Sequence, residues 1–336
     1  MLYLTTPTDE TLNVYFDKVK AALVNNINNA SIDGIINIEA KDYLLNNLEK
    51  IIKSDPTDLK KLNIDFFKIL NKGILTPRRY TIYLKFLNIK SENRNIYEKL
   101  FLKVYLRYFK KLNEIFNYEE IVSKSKSKSY WLAKQLKINT CIYCNRLYAN
   151  VIEIDNGTND DKRIARPFFD HWFAKSKYPI LSLSFYNLIP SCSVCNSSIK
   201  GSLDFDIETH VHPYIKESKN NFKFSYKNQS LTEHNVTIRD FETLSAKSKK
   251  TIEDFKFLEI YDAHSDKELK DLLDLRYRYS NNYIIELFEN TFDNLHVSDE
   301  EIYRMVFGIE EKEEHYHKRP FSKFKKDIIE ELLRIK

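Results

Sequence analysis

Glycine is scarce in this sequence: it accounts for only five of 336 residues. Few flexible linkers and few glycine-dependent turns are therefore available, which favours a mostly helical architecture. Long apolar runs are also lacking, and no stretch approaches the ~18 uninterrupted apolar residues of a membrane-spanning helix. The N-terminal segment MLYLTTPTDE has no basic stretch followed by an apolar one, so it predicts no secretory signal. We therefore expect a cytoplasmic protein that does not bind a membrane.

The composition is that of a globular protein with an uneven charge distribution. Hydrophobic residues make up 43% and charged residues 30%, which allows a sizeable core in about two domains. The net charge is only +5, yet residues 51–140 hold 20 Lys and Arg against 8 Asp and Glu, a local net charge of +12. Such a segment can follow a phosphate backbone or dock a partner, and a solvated surface explains it equally well.

The N-terminal region has the periodicity of amphipathic helices. Apolar residues recur three and four positions apart from about residue 9 to residue 134. Asp55-Pro56 and Thr76-Pro77 predict turns or helix starts within this region. The low-complexity segment 123–129, SKSKSKS, is interpreted as a hinge or a lysine-rich loop.

Residues 141–215 have a different character. The segments 147–154 and 163–172 are rich in β-branched and aromatic residues, and the polar run between them predicts a hairpin turn. A short helix is predicted from about Ser193 to Gly201. The result is a strand–strand–helix unit with His171 on the second strand. Farther along, residues 222–241 predict another hairpin, followed by amphipathic helices.

The cysteines form two Cys-x-x-Cys pairs, separated by 47 residues, with none left over: Cys141, Cys144, Cys192 and Cys195. Two knuckles of this spacing can supply four thiolates to one tetrahedral zinc ion. Disulfides are disfavoured in a reducing cytoplasm, and a redox motif usually needs one pair rather than two. A structural zinc would join the two ends of the strand–strand–helix unit, which is too small to be stable through its own core.

Three further residues occur in a fixed order within this region: His171 in DHW, Asn187 in NLIP, and Asn196 directly after Cys195. With KYP after the first of these motifs and KG after the second cysteine pair, the pattern resembles the HNH or ββα-metal endonucleases. More narrowly, it is similar to the bacterial group with paired zinc knuckles. The resemblance covers residues 141–201 closely and the flanks only loosely.

The resemblance implies a role for each motif residue. The family uses the position of His171 as the general base, and imidazole suits this role because its ordinary pKa is near neutrality. The positions of Asp170 and Asn196 hold the catalytic metal in the family, and oxygen ligands favour Mg²⁺ or Mn²⁺. Asn187 is implied to hold the loop that orients the imidazole. Many relatives carry His in place of Asn196, and the amide shifts the expected ion further toward Mg²⁺.

Other polar residues near the motifs have weaker signals. Lys175, Lys177 and Lys200 surround the motifs in the sequence and are interpreted as contacts to nucleic-acid phosphates. His210 and His212 have the spacing of one strand face. They are interpreted as a packed turn, with a second metal site or a substrate contact as the alternative.

The sequence therefore predicts an α+β, mostly α-helical fold with a zinc-stapled ββα-metal unit at residues 136–215. An N-terminal helical region, 1–135, and a mainly helical C-terminal region, 216–336, flank it. The predicted activity is hydrolysis of DNA with structural Zn²⁺ and catalytic Mg²⁺ or Mn²⁺. Similar proteins are nuclease components of bacterial anti-phage systems such as Septu and the retron-associated systems. The resemblance thus implies a defence effector partnered by an ATPase, and it leaves the oligomeric state open.

Two other functions remain open at this point. The same site can hydrolyse RNA, for example tRNA, because the sequence does not show which sugar is accommodated. A non-catalytic zinc module that binds nucleic acid or protein would need its cysteines, whereas Asp170, His171 and Asn196 would be replaceable.

Overall fold

The structure is a computed structural model that describes the following residues: 1–30, 36–70, 76–154, 162–201, 203–230, 233–278, 286 and 298–334. Within these residues the architecture is mostly helical, with small antiparallel hairpins in the middle of the chain. None of the described helices combines the length and the apolar character needed to cross a membrane. The predicted mostly helical class is confirmed, whereas the division at residues 135 and 215 stays a prediction.

The described N-terminal helices are α1 Asp9–Asn29, α2 Ile38–Lys53, α3 Pro56–Ile69, α4 Pro77–Leu87, α5 Ile96–Ile115 and α6 Lys126–Leu136. The first five begin after a residue whose side chain accepts a hydrogen bond from a first-turn amide: Thr8, Asn37, Asp55, Thr76 and Asn95. Such caps satisfy amides that have no partner within the helix. The prediction of helix starts at Asp55-Pro56 and Thr76-Pro77 is confirmed.

The serine- and lysine-rich segment 123–129 is not a hinge, because α6 begins inside it at Lys126. Ser129 is buried and donates its hydroxyl to the carbonyl oxygen of Ser125 at 3.0 Å, inside the first turn. Farther along α6, Trp131 stacks on Tyr15 of α1 with 6.4 Å between ring centroids. This packing of the apolar end stabilises a helix whose polar start predicts a loop.

The central hairpins correct the predicted strand pairing. Strand β1, Ile152–Ile154, pairs antiparallel with β2, Lys162–Ala165, as predicted, and the turn at residues 155–161 lies outside the described residues. The prediction of one continuous strand over 163–172 is wrong, because β2 ends at Ala165 and β3 spans Phe168–His171. Pro167 lies between them, and its lack of an amide hydrogen prevents it from continuing a strand ladder.

Strand β3 pairs instead with β4, Leu188–Ser191, in an antiparallel register that places Phe168 opposite Ser191 and His171 opposite Leu188. A short π-helical segment, Val194–Lys200, follows and is called the site helix below. It ends at Gly201, which has a φ of 45°. The strand–strand–helix unit that contains His171 therefore consists of β3, β4 and the site helix, rather than the predicted strands 147–154 and 163–172.

The C-terminal region contains the second predicted hairpin, in which β5, Phe224–Asn228, pairs antiparallel with β6, His234–Ile238. Its described helices are α7 Ala246–Asp254, α8 Phe257–Asp262, α9 Lys270–Arg278, α10 Asp299–Phe307 and α11 Ser322–Arg334. One of the predicted amphipathic helices, residues 267–292, contains α9, and its residues 279–285 and 287–292 lie outside the described residues.

The loop between β3 and β4 is held by the N-terminal helices. Residues 177–192 are buried throughout, so their polar groups need partners within the protein. Side-chain hydroxyls supply several of these partners: Tyr15 donates to the carbonyl of Leu183, Ser184 to Ile51, Ser182 to Phe116 and Tyr80 to Lys177. The helices thereby fix the backbone on which His171 and Asn187 depend.

Candidate active site and metal centre

The four cysteines converge on one point. The sulfur atoms of Cys141, Cys144, Cys192 and Cys195 lie within 4.8 Å of one another, all four side chains are buried, and none forms a disulfide. The sulfur atoms of Cys144 and Cys192 are 4.0 Å apart. A tetrahedral zinc site with Zn–S distances of about 2.3 Å has sulfur atoms about 3.8 Å apart. The cluster is therefore consistent with a structural Zn²⁺ site.

Asn145, directly after the first cysteine pair, connects the cluster to the C-terminal region. Its backbone is left-handed, with a φ of 48°, which asparagine tolerates better than most residues. Its Nδ2 lies 2.9 Å from Oγ1 of Thr140 and 2.9 and 3.1 Å from the carbonyl oxygens of Tyr316 and Arg319. Its Oδ1 accepts from the amide of Lys323 at 3.2 Å. The first knuckle is therefore fixed by chain segments on both sides.

Asp170 is buried at the end of β3 and has protein partners on both oxygens. The Tyr143 hydroxyl donates to Oδ2 at 2.6 Å, and the Lys200 ammonium lies 3.3 Å from Oδ1 and 3.1 Å from Oδ2. Burial raises the pKa of Asp170, and the positive charge of Lys200 opposes this rise. Tyr143 lies between Cys141 and Cys144, so the first knuckle also positions this carboxylate.

His171 is held in one tautomer by the loop that follows. Its Nε2 lies 3.0 Å from the carbonyl oxygen of Ser182. Because a carbonyl can only accept, Nε2 carries the proton and Nδ1 of the neutral ring keeps its lone pair. The Tyr118 ring packs edge-on against the imidazole, with 4.6 Å between centroids. Burial, assisted by the charges of Lys175 and Lys200, lowers the pKa of His171 to about 3.

Asn187 makes hydrogen bonds only within the loop. Its Oδ1 accepts from the amide of Phe173 at 2.6 Å, and its Nδ2 donates to the carbonyl oxygens of Phe173 at 3.1 Å and Leu181 at 2.8 Å. The Leu181 carbonyl precedes Ser182, whose own carbonyl orients His171. This geometry supports the implied role of Asn187 as the residue that holds the loop.

Asp170 and His171 line the same cleft, which has a volume of about 430 Å³. Asn196 of the site helix also lines it, and its side chain makes no hydrogen bond to any residue that the structure describes. Two further residues line the cleft: Arg166, just before β3, and Phe168, the first residue of β3. Three of the four predicted catalytic residues therefore meet at one cleft, and Asn187 supports them from the buried loop.

The three lysines have different positions. Lys175 is exposed, lines the cleft and pairs with Glu119 at 3.1 Å. Lys200 also lines the cleft but is buried against Asp170. Lys177 is buried, does not line the cleft, and pairs with Asp204 at 3.3 Å. The structure thus brings two of the three lysines to the site.

His210 and His212 form a packed turn, as predicted. The Nε2 of His210 lies 2.8 Å from Oδ2 of Asp254. The Nδ1 of His212 accepts from the amide of Tyr214 at 3.2 Å, and its ring packs 4.4 Å from that of Trp172. Among the described residues, the four cysteines are the only group of three or more potential ligands close enough to hold a metal ion.

Sequence reasoning missed several residues that shape the site: Tyr143, Tyr118, Ser182 and Arg166. Tyr143 lies inside the first cysteine pair, and this position could have indicated it. Ser182 acts through its backbone carbonyl, so its side chain carries no signal of this contact. Tyr118 is distant in the sequence, and only the packing of the helices onto the loop brings it to His171.

Comparisons of the chain with protein-family models, with curated proteins and with solved structures find no match. The resemblance to HNH endonucleases therefore depends on the motif residues of the sequence alone.

Proposed function

We propose that this chain is a metal-dependent endonuclease of the HNH type that hydrolyses phosphodiester bonds of DNA. The observation that carries the proposal is the pairing at the end of β3. A neutral His171, oriented by the Ser182 carbonyl, and the carboxylate of Asp170 face one cleft together with Asn196. A base beside a carboxylate and an amide oxygen is the set of groups that metal-assisted phosphodiester hydrolysis needs.

The arrangement of β3, β4 and the site helix supports a ββα-metal unit. His171 is the last residue of β3, Asn187 directly precedes β4, and Asn196 lies in the site helix. A zinc ion held by the four cysteines would join the start of the site helix to the knuckle that contains Tyr143. Such a bond would add to the apolar packing that already buries β3, β4 and the loop between them.

The donor chemistry at the cleft fits Mg²⁺ or Mn²⁺. A carboxylate has about four lone-pair positions, so Asp170 can bind a cation while it accepts from Tyr143. The amide oxygen of Asn196 has no partner in the part of the chain that the structure describes, and the cleft has room for water. A divalent cation bound there would neutralise negative charge on the phosphoryl group that is attacked.

His171 supplies the proton transfer. Its Nδ1 accepts a proton from the water molecule whose oxygen bonds to phosphorus. The bond between phosphorus and the 3′ oxygen breaks, the 3′ oxygen leaves with the bonding electron pair and takes a proton from solvent water, and His171 later releases its own proton to solvent. The low pKa keeps the ring neutral before substrate binds, but it also makes the imidazole a weak base. A phosphate anion in the cleft raises this pKa, because a nearby negative charge stabilises the imidazolium. Nε2 stays bonded to Ser182 throughout, so the ring keeps its orientation.

The positive charge around the cleft suits a polyanionic substrate. Arg166, Lys175 and Lys200 all line it. The net charge of +12 over residues 51–140 adds to the general attraction of the chain for a polyanion. A role as an anti-phage effector with an ATPase partner is part of the same proposal and depends on the resemblance alone.

The test is cleavage of supercoiled plasmid, single-stranded circular DNA and total RNA, with added Mg²⁺, Mn²⁺ or neither. The wild type is compared with His171→Ala and with the matched control His234→Ala, which removes a histidine of β6 outside the cleft. Zinc content and circular dichroism are measured for each protein. We expect metal-dependent cleavage in wild type and control and a loss of at least about 100-fold in His171→Ala.

Cleavage of RNA but not DNA would change the proposed substrate to RNA and leave the proposed catalytic residues unchanged. Equal cleavage by wild type and His171→Ala, or no cleavage of any substrate by zinc-loaded wild type, would contradict the proposal.

A further inference from the structure

Phe168 is an exposed aromatic residue in the wall of the candidate active site. It begins β3 and is 52% exposed, whereas the cleft's other aromatic residues, Tyr118 and Phe169, are buried. Its partner across the hairpin is Ser191, which offers no large surface for the ring to pack on. Phe168 also stacks on no other aromatic ring of the described residues. A single exposed phenylalanine is ordinary, but this one lines the cleft that contains Asp170 and His171.

The position of Phe168 relative to Asp170 is set by the strand. Side chains two residues apart in a strand lie on the same face, separated by about 6.6 Å along it. The phenyl ring and the carboxylate are therefore neighbours on one face of β3. A nucleotide whose phosphate lies at Asp170 and His171 can bring its base to the ring, because sugar and base extend outward from the phosphate by a comparable distance.

A fixed positive charge lines the same cleft as Phe168. The guanidinium of Arg166 donates to the carbonyl oxygens of Pro167 at 2.9 Å and Ser123 at 3.2 Å and lies 5.7 Å from the centroid of Phe169. Lys175 lines the cleft as well. An aromatic ring next to basic groups is the combination that proteins use to bind single-stranded nucleic acids, because the base stacks while the backbone is neutralised.

On the basis of the nuclease function proposed above, we infer that Phe168 stacks on a nucleobase next to the scissile phosphate. The substrate class is then nucleic acid with an unpaired base at the cleavage site, such as a single strand, a loop or a flap. In continuous duplex both faces of each base are covered by neighbouring bases, so the ring has no face to contact unless the base is first unstacked. Supercoiled plasmid remains a substrate through its locally unpaired segments.

The inference is tested with oligonucleotides that contain 2-aminopurine, whose fluorescence reports base stacking. Binding is measured in the His171→Ala background, which prevents cleavage, for Phe168→Ala, Phe168→Leu and Phe168→Trp. Tyr277→Ala is the matched control, because Tyr277 is 92% exposed on α9 and lies outside the cleft. Because Phe168 is exposed, its replacement leaves no cavity, and zinc content and circular dichroism confirm the fold.

We expect single strands to bind at least about tenfold more weakly to Phe168→Ala and Phe168→Leu. The change in 2-aminopurine fluorescence that reports stacking on the ring should also be lost in these two variants. Phe168→Trp and Tyr277→Ala should bind as the parent does. When His171 is left intact, the ratio of single-strand cleavage to matched-duplex cleavage should fall by a similar factor in Phe168→Leu. Unchanged binding in Phe168→Ala and Phe168→Leu, or a preference of wild type for duplex, would overturn the inference and leave the nuclease function standing. Wild type that neither binds nor cleaves any nucleic acid would overturn both.

Discussion

The ammonium of Lys200 lies 3.1 Å from Oδ2 of Asp170 and 2.7 Å from the carbonyl oxygen of His171. Both charged groups are buried, so this pair joins the last residue of the site helix to the end of β3 inside the protein. It also places a resident positive charge on the carboxylate that we propose as a metal ligand. If Asp170 binds the proposed divalent cation, Lys200 would compete with that cation for the carboxylate.

Replacing Lys200 by Met should strengthen metal binding. Without the ammonium, the buried carboxylate of Asp170 has no positive partner, and a divalent cation relieves the uncompensated charge. We expect Lys200→Met to bind Mn²⁺ about tenfold more tightly, equivalent to ~1.4 kcal/mol, by electron paramagnetic resonance titration. Lys177→Met is the matched control, because Lys177 is also buried and paired but lies outside the cleft. Unchanged or weaker Mn²⁺ binding in Lys200→Met would show that the two cations do not compete.

Asn187 should stabilise the loop through all of its polar atoms. Asn187→Ala leaves the amide of Phe173 and the carbonyl of Leu181 without these partners in a buried segment. We expect the free energy of unfolding to fall by about 2–4 kcal/mol in urea titrations. Asn187→Asp has the same shape but replaces the Nδ2 donor by an acceptor, so it should destabilise at least as much. A change below about 0.5 kcal/mol in both variants would contradict this account.

Removal of zinc should destabilise the C-terminal region as well as the central hairpin. The hydroxyl of Tyr261 donates to the carbonyl of Cys144, and Asn145 binds the segment that leads into α11. Loss of metal therefore loosens the C-terminal contacts together with β3 and β4. We expect one Zn²⁺ per chain by elemental analysis, and Cys192→Ser or chelation should lower the free energy of unfolding by at least about 4 kcal/mol.

Re-addition of Zn²⁺ is the control for chelation and should restore the wild-type unfolding curve. A chelated, zinc-free protein with an unchanged unfolding curve would show that the cysteine cluster does not stabilise this chain.

The elements that the sequence predicts well are those with a local signal. Helix caps such as Asp55-Pro56 act within one turn, and the paired cysteine spacing predicts the one cluster that the four cysteines form. The pairing of β3 with β4 had no such signal, because 16 residues separate the strands and Pro167 alone marks the break after β2. Strand register depends on contacts that a local pattern does not contain.

Lys200 shows the same limit at the site. In the sequence it is a lysine beside a glycine and suggests a phosphate contact. In the structure the site helix turns its ammonium inward to Asp170 and the His171 carbonyl. Burial and partner choice are tertiary properties, so charge alone could predict that Lys200 is near the site but not what it contacts.

His212 should make the protein sensitive to acid. It is buried beside Trp172, and burial lowers its pKa from the ordinary 6.5 to about 3. Below pH 6.5 the His212 imidazole of the unfolded chain becomes protonated, whereas in the folded protein it stays neutral until the pH nears 3. The contribution of His212 to stability is therefore complete above pH 6.5 and is lost as the pH falls through this window, by up to about 1.4 kcal/mol per pH unit.

The variant His212→Asn isolates this effect, because its Oδ1 can accept from the amide of Tyr214 in place of Nδ1 but does not titrate. Urea unfolding of both proteins at pH 7.5, 6 and 5, with equal zinc content, gives the free energies to compare. The two profiles should converge as the pH falls, because wild type loses about 1 kcal/mol more per pH unit below 6.5. Parallel profiles would mean that His212 is protonated in the folded protein, and its packing against Trp172 would then have to accommodate a charge.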